Sequence, residues 1–373
     1  MALSNNCMQR IIFIQPALPS YRINFFDRLW QFYGDKINVY FSPTNMGALT
    51  DRVIEHSWAR RLGQIRQIAY GFYWQEDASS INIEPKDIVV LSGNPRQLST
   101  LVLLAKARFI GAKTIWWGHY WSSTSRVWRQ LIRQIPMTAA DALLFYTDLE
   151  VAEYRETHRG IIDPRPVVAL NNGLDIEPIV ARRAIFIPQI RDNALIFIGR
   201  LTEKANLNLG LEALHVLGSH APHLHILGDG EEGSSLKAYA VTLGISERIT
   251  WHGGTVDEER IAAVANICKA FLYPGEVGLS LIHAMAYGLP AIVHNNRWRH
   301  MPEIAAFIPG ETGVSFESNN VASLTKCIND TFNDDDKLMH WSQNACRVTL
   351  NSFNTVDMSK RFIALVDQLQ ASS

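Results

Sequence analysis

The chain has 373 residues, a formal net charge of −1, 47% hydrophobic residues and 19% charged residues. This length exceeds one compact core and predicts two domains of roughly 150–200 residues each. Balanced charge argues against nucleic-acid binding, and with no signal-peptide core and no apolar run of about 18 residues we expect a cytoplasmic protein.

In the first half, short runs rich in Ile and Val alternate with longer amphipathic segments. This pattern is typical of a buried parallel sheet covered by helices on both faces. The predicted strands are RIIFIQ (10–15), INVYF (37–41), DIVVLSG (87–93), KTIWWGH (113–119), ALLFYT (142–147) and VVALN (167–171). A helix is predicted over DLEVAEYRE, with Asp148 as its N-cap.

After Asp175 the periodicity is lost, which predicts a linker over 179–192 that follows an N-terminal domain, 1–178. A second α/β series then fills 193–350. Its predicted strands are NALIFIGR (193–200), HLHILGDG (223–230), RITWHGG (248–254), AFLYPG (270–275) and LPAIVH (289–294). Ligands of such folds bind at the carboxyl ends of the strands, so we place the candidate site there.

The turn GDGEEG (228–233) satisfies the pattern GxGxxG. Dinucleotide binding would require an acidic residue about 20 positions further on, where this chain has His252-Gly253-Gly254. The motif also follows the second strand of its domain and not the first, which disfavours a dinucleotide. A turn beside another phosphorylated ligand and a tight structural turn both remain open.

The stretch PGEVGLSLIHAMAYGLP (274–290) predicts a turn followed by a short helix from Leu279. Free N–H groups near Leu279 and Ser280, together with the helix dipole, form an anion site. Gly278 lets a ligand approach the backbone, and a diphosphate is the expected occupant. An ordinary strand–turn–helix junction without a ligand is the alternative.

The segment GRLTEK (199–204) directly follows the first strand of the second domain. Arg200 offers a planar fork for phosphate oxygens and Lys204 a mobile point charge. Two cations alone are typical of a solvated surface. In combination with the turn at 275–280, they favour a phosphate site.

Taken in order, these segments resemble a known family. IIFIQPALPSYRINFFDRL, NNGLD (171–175), FIGRLTEK, LGDGEE, WHGG, the 274–294 stretch and Pro302-Glu303 are similar, in sequence order and spacing, to GT-B-fold glycosyltransferases. The closest resemblance is to the retaining, nucleotide-sugar-dependent family four (group 1 type), and it covers most of the chain.

The resemblance implies an α/β GT-B fold, in which two Rossmann-like, doubly wound parallel-sheet domains face a central cleft. The second domain would bind the donor, and a C-terminal segment, 351–373, would cross back to the first. Catalytic roles fall to His119, Arg200, Lys204 and Glu276. Donor-binding roles fall to Gly199, Gly228, Asp229, Gly230, His252, Gly253, Gly275, Val277, Gly278, Leu279, Ser280 and His283. Acceptor-side roles fall to Pro19, Tyr21 and Arg22.

Two positions depart from the pattern of the family, which places two glutamates eight residues apart here. The first contacts the transferred sugar and the second binds the ribose hydroxyls. This chain has Gly275 and His283 there, with Glu276 one residue off register. A neutral imidazole can still bond one hydroxyl but cannot replace a bidentate carboxylate.

His119 follows the strand KTIWW, where the resemblance places a histidine near the reacting sugar. The alternative is an imidazole packed among the neighbouring Trp and Tyr side chains. The run Asp334-Asp335-Asp336 contains a DxD pattern, but helix capping is the favoured role. The resemblance therefore implies no metal and no cofactor, with cations and helix dipoles stabilising the departing diphosphate.

The segment RVWRQLIRQI (126–135) places apolar residues on one side of a helix and three arginines on another. This pattern fits peripheral docking to an anionic membrane on its inner face. An ordinary domain helix with a core stripe is the favoured alternative. Relatives in the family often act on lipid-linked glycans.

The sequence therefore predicts a retaining glycosyltransferase that moves a sugar from a nucleotide diphosphate sugar to a hydroxyl of a glycan, in bacterial surface polysaccharide synthesis. Two rival hypotheses remain open. One is a catalytically silent GT-B partner protein, marked by Gly275 and His283. The other is a GT-B epimerase or hydrolase that acts on its nucleotide sugar without an acceptor.

Overall fold

The chain divides into two compact units. A computed structural model describes residues 9–43, 56–69, 71–120, 134–160 and 163–371. Unit one comprises Met1–Asn171 and Thr355–Ser373, and unit two comprises Asn172–Asn354. In unit one the strands are β1 (Ile11–Gln15), β2 (Ile37–Phe41), β3 (Ala59–Arg61), β4 (Ile65–Ala69), β5 (Phe72–Gln75), β6 (Ile88–Ser92), β7 (Lys113–Trp117), β8 (Ala142–Phe145) and β9 (Val167–Ala169). In unit two they are β10 (Ala194–Ile198), β11 (His223–Leu227), β12 (Ile249–Gly253), β13 (Ala270–Tyr273), β14 (Ala291–His294) and β15 (Gly313–Phe316).

The α-helices cover both sheets. They are α1 (Ile23–Tyr33), α2 (Leu98–Ile110), α3 (Asp148–Thr157), α4 (Glu177–Arg182), α5 (Leu207–Leu217), α6 (Gly233–Thr242), α7 (Glu258–Ala265), α8 (Leu279–Ala286), α9 (Val321–Phe332), α10 (Asp335–Asn351) and α11 (Thr355–Ala371). Residues 134–139 are also helical.

Unit one is built on a seven-stranded sheet with the order β3-β2-β1-β6-β7-β8-β9, and every pairing within it is parallel. Successive residues of a strand point to opposite faces. Ile11 and Phe13 of β1 therefore join one core with α1 and α11, whereas Ile12 and Ile14 join a second core with α2 and α3. Both faces are buried, which explains the nearly continuous apolar runs of these strands.

Unit two has a six-stranded parallel sheet with the order β12-β11-β10-β13-β14-β15. All five residues of the central strand β10 are buried. The prediction of two doubly wound parallel α/β sheets is confirmed. The three-residue strand β3, the antiparallel β4–β5 hairpin and the edge strand β15 are absent from the prediction.

In each sheet the strand order reverses beside the first strand. Strand β1 pairs with both β2 and β6, and strand β10 pairs with both β11 and β13. Connections that leave two such neighbouring strands in opposite directions open a crevice at their carboxyl ends. The loops after β1 and β6, and those after β10 and β13, are therefore the first places to look for a ligand site.

The linker over 179–192 stays a prediction; the segment begins within α4 and contains the buried Arg191. One local expectation differs from the structure. The prediction of Asp148 as the N-cap of α3 is wrong. Thr147 is the cap, and it forms a capping box in which its side chain and that of Glu150 each accept a backbone N–H of the other.

Candidate functional site

The turn after β13 is in direct contact with the loop after β10. The backbone N–H of Glu276 donates to the Lys204 carbonyl at 2.9 Å. A Cβ at Gly275 would lie 2.0 Å from that same carbonyl oxygen, so only glycine fits there. Position 275 therefore cannot hold the glutamate that the resemblance expects in this backbone conformation, and Glu276 is the carboxylate present.

Three cationic side chains and Glu276 lie around this contact. The Glu276 carboxylate is 3.6 Å from Lys204 Nζ and 3.4 Å from a guanidinium nitrogen of Arg299. Arg200 is exposed, and its charge opposes the burial that raises the pKa of Tyr273 to about 12. Pairs this long and partly exposed are weak, so an anionic ligand can compete with Glu276 for both cations.

Helix α8 begins beside these charges, with Gly278 as its N-cap. Among the described residues, no side chain caps this helix start. The first N–H groups of a helix have no partner within the helix and carry partial positive charge. The first two helical residues are Leu279 and Ser280, and anion binding by their N–H groups stays a prediction.

The residue before the cap, Val277, is fixed by the loop that follows β14. Its N–H donates to His300 Nδ1 at 3.1 Å, and its carbonyl accepts from the Met301 N–H at 2.9 Å. His300 Nε2 in turn donates to the His294 carbonyl at 2.9 Å. Burial lowers the pKa of His300, so the neutral imidazole serves as acceptor and donor at once.

A second carboxylate, Glu303, is buried near the start of α8. It accepts a short hydrogen bond from Asn172 Nδ2. Its Oε2 atom lies 3.7 Å from the place that a Cβ on Gly278 would take, and the Met301 side chain lies closer still, at 3.2 Å. A side chain at position 278 would therefore press against Met301, which would have to shift by a few tenths of an ångström.

His283, on the same helix, is bound to a carboxylate from the neighbouring helix. Its Nε2 lies 3.0 Å from Glu258 Oε1, which also accepts a short hydrogen bond from the Tyr287 hydroxyl. Burial alone would raise the pKa of Glu258, but these hydrogen bonds outweigh it and hold that pKa below its usual value. A carboxylate is thus present beside position 283, although it is not on residue 283.

The GDGEEG turn is explained by backbone packing. A Cβ on Gly228 would lie 1.9 Å from the Gly199 carbonyl oxygen, and one on Gly230 would lie 2.3 Å from that of Leu201. The carbonyl of Asp229 accepts the N–H of Leu201, while the exposed Asp229 side chain accepts the N–H of Gly230. These contacts support the tight structural turn, one of the two open interpretations.

His252 and Gly253 end the edge strand β12. His252 Nε2 lies 3.0 Å from Nδ1 of His225 on the adjacent strand. Gly253 adopts φ +74°, a conformation that favours glycine. The role of both residues towards a donor base stays a prediction.

In unit one, the acceptor-side residues lie directly after β1. Pro19 caps a 3-10 turn over Ser20–Arg22 and accepts the Arg22 N–H at 3.0 Å. Tyr21 is exposed, whereas Arg22 is buried with its guanidinium 4.4 Å from the ring centre of Trp117. The loop thus reaches over the carboxyl end of β7.

His119 lies at the same edge and is positioned by a buried glutamate. Its Nδ1 is 3.2 Å from Oε1 of Glu150, and its ring centre is 4.3 Å from that of Tyr146. Glu150 also accepts the backbone N–H groups of Tyr120, Tyr146 and Thr147 at 3.0–3.2 Å. His119 therefore does pack against an aromatic ring, as the alternative interpretation expects. Its side chain is nevertheless 44% exposed. A role near the sugar stays a prediction.

Several expectations concern other regions. Of the basic segment 126–135, residues 126–133 lie outside the described residues. Asp334 caps α10 by accepting the Lys337 N–H, which confirms helix capping as its role. Across the part of the chain that the structure describes, no group of three or more His, Cys, Asp or Glu side chains could hold a metal ion. Over the same part, no helix is both long and apolar enough to cross a bilayer.

Four residues of these networks escape the sequence reasoning. Glu258, Arg299 and His300 carry no local signal, because the contacts to His283, Glu276 and Val277 that place them in these networks span at least 23 positions of the sequence. Glu150 does carry one. The quartet Thr147-Asp-Leu-Glu150 is a capping-box pattern directly after a strand.

The comparisons with known proteins point to one group of enzymes. Residues 182–348 match the family model "Glycosyl transferases group 1". An uncharacterized glycosyltransferase of Haemophilus influenzae is 23% identical over 252 residues, which span 64% of each chain. A lipopolysaccharide 1,6-galactosyltransferase of Salmonella typhimurium is 28% identical over 138 residues, 34% of this chain and 38% of the relative. The matches therefore span less than two thirds of either curated relative.

Solved structures show the same fold at low sequence identity. A glycosyltransferase from Rickettsia africae superposes with a TM-score of 0.74 over 99% of this chain and 100% of its own, at 14% identity. The Anabaena protein Alr3699/HepE, solved in complex with UDP, gives 0.72 over 97% and 100%, at 13% identity. The predicted GT-B fold is confirmed, whereas the retaining mechanism and family four stay predictions.

Proposed function

We propose that the chain is a retaining glycosyltransferase that moves a sugar from a nucleotide diphosphate sugar to a hydroxyl of a glycan. One observation carries the proposal. The cationic loop at Arg200–Lys204 and the uncapped start of α8 meet where the strand order of unit two reverses, beside β10 and β13. Guanidinium, ammonium and helix N–H groups together are the donors that suit a diphosphate.

The assignment of roles follows from this placement. Arg200 and Lys204 neutralise the diphosphate, and the N–H groups of Leu279 and Ser280 bind its oxygens. Glu276 turns from its cations to the transferred sugar once phosphate occupies them. His283 directs its Nε2 to Glu258, so its Nδ1 can accept a hydrogen bond from one ribose hydroxyl.

The reaction step needs no further reagent. The bond between the sugar anomeric carbon and the diphosphate oxygen breaks, and a bond from that carbon to the acceptor oxygen forms on the same face. The acceptor proton passes to an oxygen of the departing diphosphate. Because fixed cations and helix N–H groups stabilise the developing charge, the proposal includes no metal, and we expect activity to survive exhaustive chelation.

The proposed biological setting is the assembly of a surface polysaccharide. The name of the Salmonella relative, a lipopolysaccharide galactosyltransferase, supports this setting. UDP is found bound in the Anabaena structure. These two names make UDP and UDP-galactose the first donor probes to test, while the acceptor-side loop of unit one is the region that we assign to the glycan.

A calorimetric titration with UDP, GDP, dTDP and ADP and their sugars tests the proposal. At least one should bind saturably, and Arg200→Ala should weaken it about tenfold or more, because a charged hydrogen-bond partner is lost. The control is Arg347→Ala, which removes an exposed arginine of α10 and should leave the affinity within about twofold.

Four outcomes contradict the proposal. Absence of binding to all four nucleotides would favour the silent partner. Equal affinity in the Arg200→Ala variant would displace the site from this loop. Release of free sugar without any glycan would favour a hydrolase, and a product of inverted anomeric configuration by NMR would refute retention.

A further inference from the structure

A buried arginine in unit one has no anionic partner in the part of the chain that the structure describes. Arg22 is 7% exposed, and its guanidinium lies over the ring of Trp117, with the rings of Tyr146 and Tyr21 at 5.6 and 5.8 Å. Burial alone would lower the pKa of Arg22, but Tyr146 and Tyr21 outweigh it and raise that pKa. Its Nε is buried without a hydrogen-bond partner among the described residues. Within the described residues, no carboxylate forms an ion pair with it.

A second buried arginine, Arg191 in unit two, is bound by backbone carbonyls, although its Nη2 is also buried without a hydrogen-bond partner among the described residues. Arg191 is equally buried and also lies over an aromatic ring, that of Phe186, at 4.3 Å. It donates to the carbonyls of Ala265 and Cys268 at 3.0 and 2.6 Å. Burial without an anion lowers its pKa to about 10. Arg191 precedes β10 and so lies away from the carboxyl edge of its sheet.

Arg22, unlike Arg191, lies at the carboxyl edge of its sheet. It follows β1 and lies over the last residue of β7 and the first residue after β8, at the carboxyl edge where α/β sheets bind ligands. A charged group that is removed from water needs hydrogen-bond partners, and an anion is the strongest partner for a guanidinium. Even with both neighbouring phenol oxygens as acceptors, some of the five N–H donors of the guanidinium stay unused.

The neighbouring side chains suit a glycan that carries an anion. Tyr21 is 36% exposed and offers an aromatic face. His119 is hydrogen-bonded to Glu150 and packs on the ring of Tyr146. The guanidinium of Arg22 lies near that same ring. We call Tyr21, Arg22, Trp117, His119 and Tyr146 the unit-one cluster.

We propose that the unit-one cluster binds an anionic group of the acceptor, a phosphate or a carboxylate, through the guanidinium of Arg22. The inference rests on the proposed function, because it takes unit one as the acceptor side. It goes beyond that function by naming the class of acceptor. The glycan that this enzyme extends then carries either a phosphorylated sugar or a uronic acid at the contacted residue.

The test compares three small probes by calorimetry at constant ionic strength. A hexose 1-phosphate represents the phosphate source, a methyl hexuronide the carboxylate source, and a neutral methyl hexoside serves as the control ligand. We expect one anionic probe to bind the wild-type protein at least about tenfold more tightly than the neutral one. The anionic probe that binds more tightly identifies the source.

Variants locate the contact. Arg22→Gln should weaken the preferred anionic probe about tenfold or more, and Arg22→Lys, which keeps the charge but not the planar fork, should weaken it less. Arg96→Gln is the matched control, because Arg96 is an exposed arginine after β6 at the same sheet edge, and it should change the affinity less than about twofold. Arg200→Ala should not affect this probe, since its site is in unit two.

The outcomes that overturn the inference are specific. They are equal binding of anionic and neutral probes, an Arg22→Gln protein that binds as the wild type does, or an equal loss in Arg96→Gln. If thermal melting shows that Arg22→Gln does not fold, Arg22→Lys decides, and an unchanged affinity there overturns the inference. UDP, GDP, dTDP and ADP are titrated in parallel, because absence of binding to all four by the wild-type protein contradicts the proposed function and not this inference.

Discussion

Each unit contains a glutamate that is bonded to a histidine beside a tyrosine, yet the two carboxylates are held in different ways. In unit one, Glu150 is fully buried and accepts three backbone N–H groups in addition to His119. In unit two, the hydrogen bonds to the Glu258 carboxylate come from the side chains of His283 and Tyr287. The first carboxylate is part of the main-chain fold, whereas the second depends on side chains that a substitution can change.

The difference also concerns the histidines. The side chain of His119 is 44% exposed and that of His283 is 16% exposed. A buried carboxylate that positions an exposed imidazole leaves that imidazole able to meet a ligand. A semi-buried imidazole between a carboxylate and a helix makes fewer outside contacts, which fits a single hydrogen bond to a ribose. The comparison predicts that the free energy of unfolding of unit one depends on Glu150 much more than on His119. In unit two it should depend on Glu258 and His283 together.

The largest effect is expected for Glu150→Ala. The substitution leaves two buried N–H groups and one partly buried N–H group without their acceptor, and we expect a loss of about 3–5 kcal/mol in the free energy of unfolding of unit one. His119→Ala should cost less than about 1 kcal/mol, because its partner keeps the backbone bonds. Urea unfolding measures both.

The control for that measurement is Glu156→Ala, an exposed residue of the same helix α3 whose side chain is 75% exposed. It should change the free energy of unfolding by at most about 0.5 kcal/mol. If Glu150→Ala lowers the free energy of unfolding by less than about 1 kcal/mol, water replaces the carboxylate as acceptor. Glu150 would then not be needed to bind the three backbone N–H groups.

Acidification provides the next largest effect, and it separates the two units. Burial lowers the pKa of a group of histidines in unit two. For two of them, His225 and His294, the pKa falls from 6.5 to about 4. The others with a lowered pKa among the described residues are His223, His252 and His300, also in unit two.

A histidine whose pKa is lower in the folded state stabilises the protein above pH 6.5. That stability is lost as the pH falls towards about 4, because the unfolded chain binds the proton first. Unit two should therefore lose on the order of 2 kcal/mol between about pH 7 and about pH 5. Hydrogen exchange, corrected for intrinsic rates, should show β11 and β14 losing protection before β1 and β6. Equal losses in both units would contradict this expectation.

These predictions rest on contacts that the sequence shows unevenly. The strand runs and the stop of α8 just before Gly288, which adopts φ +75°, follow from hydrophobic periodicity and from glycine and proline positions, and both are predicted well. Strand β3 is missed because three residues, Ala-Arg-Arg, give no alternation. The close approach of Gly275 to Lys204 joins loops about 70 residues apart, which no local pattern encodes.

The candidate site divides in the same way. Arg200, Lys204 and the start of α8 are visible because each follows a strand, and strand order brings them together. The pairing of His283 with Glu258 is not visible, because it depends on how two helices pack side by side. From the sequence alone, His283 suggests that the carboxylate of the family pattern is lost. In the structure, the carboxylate of Glu258 lies next to His283.

The smallest predicted effect tests whether Glu258 explains the histidine at position 283. His283 Nε2 lies 3.0 Å from Oε1 of Glu258. In His283→Glu, the new carboxylate would lie close to that of Glu258. Like charges this close disfavour joint ionisation, and we expect a loss of about 1–2 kcal/mol in the free energy of unfolding. The control is His220→Glu on an exposed turn, which should cost at most about 0.5 kcal/mol.

The double variant Glu258→Gln with His283→Glu exchanges the positions of the charge. Glu258→Gln alone removes the acceptor of both His283 and Tyr287 and should destabilise unit two. In the double variant, the new carboxylate can accept from the glutamine amide and from the Tyr287 hydroxyl, so the coupling energy should be favourable by about 1 kcal/mol. If UDP binds, the double variant should also retain that binding better than His283→Glu does. Strict additivity of the two substitutions would show instead that the two residues tolerate each other without depending on each other, and that the histidine at 283 has another cause.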